Sequence, residues 1–113
     1  MTRSHVTSHV LDTATGRPAV GLAISLEQLD DGQWVPLAIA ATDDDGRVKH
    51  LGDERLELGT YRVRFNTGDW FAESGTTSFY PEVIVPFIVS NQDEHYHVPL
   101  LLSAFAYSTY RGS

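Results

Sequence analysis

Short runs of alternating apolar and polar residues, broken by turn formers, run through the chain. Leu22, Ile24, Leu26 and Gln28 share one parity, and Ala23, Ser25 and Glu27 take the other. Successive side chains of a strand point to opposite faces, so this pattern predicts a strand with one buried face. Tyr61, Val63 and Phe65 alternate with Arg62, Arg64 and Asn66, the cleanest pattern of this kind in the chain. Trp34 to Ile39 reads as a partner strand, and Pro36, which has no amide to donate, points to an edge or a strand start. Val83 to Val89 and His95 to Leu102 are two further β-rich runs. Between the runs lie Gly16-Arg17-Pro18, Asp30-Asp31-Gly32, Asp43-Asp44-Asp45-Gly46 and Gly68-Asp69. Asp-Gly favours tight turns because Gly accepts positive φ and Asp bonds its own backbone. Only Asp69 to Glu73 looks helical, with Asp69 as the expected cap and Trp70 and Phe71 as anchors. Short strands, close turns and at most one helix predict an all-β sandwich.

Composition narrows the functional classes. The 113 residues fit one domain, taken as 1–113, with no repeat, linker or low-complexity segment. The net charge is −7 and the eight Lys and Arg residues are scattered, so neither nucleic acid nor an anionic membrane surface is an expected partner. The chain has no cysteine, which excludes a disulfide framework, a thiolate nucleophile and a thiolate metal site. No apolar run approaches the ~20 residues that cross a bilayer. The polar start, Met1 to Val6, lacks the apolar stretch of a secretory signal, and the ending is not a Ser-Lys-Leu address. A cytoplasmic location is the resulting expectation.

Five histidines stand out in so short a chain. His95 and His97, at i and i+2, point to one face of a strand and offer an acid–base pair or two metal ligands. A zinc site needs three or four ligands and no third is nearby, so no metal is expected. His9 falls on an N-terminal strand. His50 has no local partner and is expected to face solvent, and His5 is expected to be mobile near the terminus. Arg47 follows the Asp-rich turn and either balances its acids or presents a guanidinium at a strand start. The tail, Ser108 to Ser113, follows an apolar run and carries Tyr110 beside the earlier Tyr107, which favours a docked end over a frayed one. No Gly-x-Ser-x-Gly elbow, phosphate loop or dinucleotide fingerprint occurs.

Together these segments resemble one family. Ser8-His9-Val10-Leu11-Asp12-Thr13-Ala14-Thr15-Gly16-Arg17-Pro18-Ala19 is similar to the opening signature of the 5-hydroxyisourate hydrolases, which are transthyretin-related enzymes. Thr42 to Arg47, Gly59 to Val63 and Phe79 to Val83 fit their central segments. His95 to Ser103, with Tyr107 to Ser113, resembles their closing signature. The likeness runs from about His9 to Ser113 and departs at Ser103-Ala104, where the family usually has Ser-Pro. Losing that proline frees φ in the local loop.

The resemblance implies a transthyretin-like two-sheet β-sandwich of about eight strands with one short helix. It also implies a homotetramer, a dimer of dimers, with its sites at the dimer–dimer interface. It assigns catalysis to His9, Arg47, His97 and Ser113, and substrate binding to His9, Arg47, Tyr110, Arg111 and Gly112. The implied reaction is hydrolysis of 5-hydroxyisourate to 2-oxo-4-hydroxy-4-carboxy-5-ureidoimidazoline in urate degradation, without a cofactor. An imidazole titrating near pKa ~6.5 is the natural base for water attack at neutral pH. His9 and His97 both qualify, and the sequence leaves the choice open. Arg47 would stabilise the oxyanion. The alternative is a non-enzymatic transthyretin-like carrier of small molecules, whose channel lacks this His, Arg and Tyr-Arg-Gly-Ser set.

Overall fold

The computed structural model describes residues 3–113, so Met1 and Thr2 of the expected polar start lie outside the described residues. In chain order the elements are β1 (Val6–Asp12), β2 (Arg17–Pro18), β3 (Ala23–Asp30), β4 (Gln33–Ala41), β5 (Arg47–Val48), β6 (Gly59–Phe65), α1 (Thr67–Glu73), β7 (Val83–Val89), β8 (Tyr96–Leu102) and β9 (Tyr107–Thr109). They form two facing sheets. One runs β2-β1-β8-β9, with β5 also pairing with β1, and the other runs β4-β3-β6-β7. The sandwich predicted from alternation is the observed architecture, and two of its strands, β2 and β5, are only two residues long.

The alternating positions meet between the sheets. Ile24 and Leu26 of β3, Tyr61, Val63 and Phe65 of β6, Val6 and Val10 of β1, and Val98, Leu100 and Leu102 of β8 are all buried in one core. Burying side chains of this size contributes roughly 1.5–3 kcal/mol each. Pro36 lies in β4, an edge strand as its missing amide predicts. The β3–β4 hairpin turns at Asp31 and Gly32, with φ of 51° and 76°, the positive values that match the twist of paired strands.

The helix begins earlier than expected. Asn66, not Asp69, is its N-cap, and Asp69 sits in the first turn, where its carboxylate accepts from Asn66 Nδ2 at 3.0 Å. The anchors are as expected in kind: Phe71 is buried, and Trp70 Nε1 donates to the Val20 carbonyl at 2.8 Å. The Ser103-Ala104 loop is held without a proline, since Ser103 N donates to Ala106 O at 2.9 Å and Phe79 N donates to Ala104 O at 2.8 Å.

His5 departs furthest from its expected mobility. It is only 4% exposed. Its Nδ1 accepts from Leu56 N at 2.8 Å, so Nε2 carries the proton and donates to Glu94 O at 2.7 Å. The ring also meets Tyr96 edge-on. These partners lie far along the chain, and they tie the N-terminal segment to two loops. His50 is exposed, as expected. No helix among the described residues is long and apolar enough to cross a membrane.

Candidate active site

The outer face of the first sheet gathers the residues of interest. In β1 the core parity carries Val6, Ser8 and Val10, so Thr7 and His9 face outward. In β8 the core parity carries Tyr96, Val98 and Leu100, so His97 and Pro99 face outward. The two strands run parallel, with Thr7 opposite His97 and His9 opposite Pro99. On the other side of β1, β5 pairs antiparallel and sets Arg47 directly opposite His9.

The Asp-rich turn fixes Arg47. The Asp43 carboxylate accepts from Asp45 N and Arg47 N, both at 2.9 Å, and Asp43 N donates to Arg47 O at 2.9 Å. These amide donors hold the Asp43 carboxyl below its usual range. Gly46 is required there: its φ is +74°, and a β-carbon would stand 2.5 Å from the Val10 carbonyl. The close approach lets Val10 N donate to Gly46 O at 2.8 Å, which seats the turn on β1.

The tail folds back along β8. β9 pairs with β8 through Leu100 and Thr109, and Thr109 Oγ1 donates to Pro99 O at 2.7 Å. Further on, Gly112 forms a bridge with His97, its N–H donating to His97 O at 2.9 Å. Arg111 secures this path. Its guanidinium lies 4.5 Å over the Tyr96 ring and bonds Glu94 Oε1 and the His95 carbonyl.

A depression of about 210 Å³ results, lined by Arg3, Thr7, Ser8, Arg47, Val48, Lys49, His97 and Ser113. Arg47, His97 and Ser113 therefore meet around one space, and His9 stands across the strand pair from Arg47. Tyr110 and Arg111 line a second, more apolar depression of about 350 Å³ between the tail and β7, which shares His97 with the first. Sequence reading did not single out Thr7, Arg3 or Lys49. For Thr7 the available signal was its i+2 spacing from His9 on the same outward parity.

The electrostatics favour neutral imidazoles. Burial lowers the His97 pKa below 6.5, and the charges of Arg47, His9 and Arg3 lower it further. Burial and Arg47 lower that of His9, opposed by a hydrogen bond to the Asp45 backbone and by Asp43 and Asp45. Burial also lowers that of His95, together with Arg3, His97, His5 and Arg111. Although the chain carries −7 overall, the depression is lined by three cationic side chains, Arg3, Arg47 and Lys49. Neutral bases beside fixed cations suit water attack on an acyl carbon that develops negative oxygen. Among the described residues no three His, Cys, Asp or Glu side chains cluster to hold a metal ion.

A family model described as HIUase/Transthyretin matches residues 6–112. The chain belongs to the HIUase/Transthyretin family. Within this family it is 50% identical to the 5-hydroxyisourate hydrolase of Salmonella dublin over 106 residues, 93% of this chain and 78% of that protein. Among solved structures it resembles the 5-hydroxyisourate hydrolase of Klebsiella pneumoniae, with a TM-score of 0.86, 34% identity, and coverage of 96% of this chain and 98% of that one. It also resembles transthyretin from Sparus aurata, with a TM-score of 0.92, 33% identity, and coverage of 97% of both chains. The family's fold therefore accommodates both a hydrolase and transthyretin, and the residues on the outer sheet face must decide between them.

Proposed function

We propose that this chain hydrolyses 5-hydroxyisourate to 2-oxo-4-hydroxy-4-carboxy-5-ureidoimidazoline. The observation that carries the reading is the convergence of His97, Arg47 and Ser113 on one depression, with His9 paired to Arg47 across the strands. A carrier site needs shape and apolar contact but no neutral base beside a guanidinium. The similarity to named hydrolases supports the same choice.

In the proposed reaction a neutral imidazole, His9 or His97, takes a proton from water as the oxygen bonds to a ring acyl carbon. The carbonyl electrons move onto oxygen, and the Arg47 guanidinium stabilises that charge. The C–N bond then breaks, the leaving nitrogen takes a proton from an imidazolium, and the ring opens to a carboxylate. Ser113 helps hold the water or a histidine. Tyr110 contacts the substrate, while Gly112 and Arg111 hold the tail in place. Water is the direct nucleophile.

The working unit is a homotetramer, a dimer of dimers with the sites at the dimer–dimer interface. The support is that the depression lies on an outer sheet face, open to water, and gains from a cover. Exposed apolar side chains such as Ile88 at 65% and Ile39 at 81% on the two edge strands of the second sheet provide contact area. All of this rests on one hydrolase domain spanning residues 1–113.

The test is the ultraviolet decay of freshly generated 5-hydroxyisourate, corrected for its spontaneous breakdown. The hydrolase reading expects decay proportional to protein concentration. Tight binding of an iodinated phenol with no added decay would favour the carrier. A stable monomer with full activity would contradict the interface location.

A further inference from the structure

One hydroxyl joins two imidazoles on the outer face. Thr7 Oγ1 lies 2.8 Å from His97 Nδ1 and 2.8 Å from His95 Nε2. A threonine hydroxyl has one proton to give and two lone pairs to receive with. These two nitrogens are its only side-chain hydrogen-bond partners among the described residues, so with both rings neutral its proton goes to one of them and the other ring must donate to it. The two tautomers are therefore coupled. Either His95 Nε2–H donates to Thr7, which donates to His97 Nδ1, or His97 Nδ1–H donates to Thr7, which donates to His95 Nε2.

Only the second arrangement suits a base. Thr7 occupies Nδ1 of His97, so Nε2 is the nitrogen left for the depression. It accepts a proton only when the ring's single proton sits on Nδ1. When Nε2 then takes a proton, the imidazolium still donates from Nδ1 to Thr7, and no hydroxyl has to turn. In the first arrangement Nε2 already carries its proton and the ring cannot act.

We propose that Thr7 and His95 are positioning residues that select the Nδ1–H tautomer of His97, with His95 Nε2 as the terminal acceptor. The inference rests on the reaction proposed above with His97, of the two candidates, as its base. The surroundings of the two rings agree with it. Burial and the charges of Arg47, His9 and Arg3 favour the neutral form of His97, and burial with Arg3, His97, His5 and Arg111 does the same for His95. Thr7 is itself buried in β1, where valine can replace it without changing shape.

The test compares the native chain with Thr7→Val, Thr7→Ser and His95→Phe. An isolated neutral imidazole prefers its proton on Nε2, so losing the hydroxyl releases His97 to that form. Thr7→Val should lower kcat about tenfold or more, a part of the roughly 100-fold or more that a general base supplies, with KM little changed. Thr7→Ser should restore it, and His95→Phe should behave like Thr7→Val. Nitrogen NMR of labelled histidine should find His97 as Nδ1–H in the native chain and as Nε2–H in Thr7→Val. Native kcat in Thr7→Val, or a native His97 protonated on Nε2, would overturn the relay. Should the native chain fail to hydrolyse 5-hydroxyisourate, the function proposed above fails, and the NMR result alone then decides the tautomer.

Discussion

Gly112 lies against the imidazole of His97 so closely that a β-carbon there would stand 2.5 Å from Cδ2 of the ring. No side chain fits between the tail and the ring. The tail is held beside the histidine by this contact and by the Gly112 N–H bond to the His97 carbonyl. Gly112→Ala should therefore push the tail away from the depression. Misplacing a site by about 1 Å can cost on the order of 100-fold in rate. A fall of that order in kcat is expected, with little change in Tm, because the core lies on the opposite parity of β8. An alanine variant with native turnover would show that the tail's contact with His97 has no part in the reaction.

The same geometry makes the last residue sensitive to extension. Ser113 lines the depression, so residues added after it emerge at the proposed substrate site. A short tag after Ser113 should reduce turnover much more than the same tag before Met1. Equal initial rates for the two chains would contradict a role for the ending.

Arg47 acts on both candidate bases. Its charge lowers the pKa of His9 and of His97. A base with a lowered pKa stays neutral further into acid, so the acid limb of kcat/KM should lie below pH 6.5 in the native chain. Arg47→Gln removes the repulsion and lets both histidines take protons more readily. The limb should move to higher pH, and kcat should fall on the order of 100-fold from loss of the oxyanion partner. An unmoved limb, measured as kcat/KM from pH 5 to 8, would remove Arg47 from the electrostatics of the bases.

Stability should follow pH in the same sense. His9, His95 and His97 all have pKa values lowered from 6.5 in the folded chain. The unfolded chain therefore binds more protons than the folded one once pH falls below about 6.5. Stability rises with pH across that window, so Tm should decline from pH 7 to pH 5. Glu27 acts lower. Burial raises its pKa, but the hydrogen bonds and charges of Arg62 and Arg64 together outweigh that and leave it lowered, so its contribution is lost only as pH falls through a value below 4.5. A Tm that is flat between pH 7 and 5 would contradict the assignment of neutral, partly buried imidazoles.

The sandwich was legible where one face of a strand is buried. Tyr61, Val63 and Phe65 advertise β6 because burial imposes a period of two on the sequence. β2 and β5 were not, because two-residue strands are too short to carry a period. Yet β5 sets Arg47 opposite His9, a pairing that belongs to the tertiary register and leaves no trace in local spacing. The position of His5 was hidden for the same reason, since Leu56 and Glu94 are remote in sequence. The helix cap differs from the expected Asp69 because Asp69 and Asn66 are both good capping types, and the chain enters the helix at Asn66. The site residues came from resemblance, and the fold supplies the physical account of how Arg47, His97 and Ser113 reach one place.

The central claim is that the outer face of β1, β5 and β8 performs the hydrolysis. The most direct measurement is the initial rate of 5-hydroxyisourate decay at pH 7 with the native chain and with a His9→Asn, His97→Asn double variant, each corrected for spontaneous decay. The native chain should accelerate decay in proportion to its concentration, and the folded double variant should fall to the spontaneous rate. A native chain with no acceleration, or a double variant as fast as the native chain, would contradict the claim.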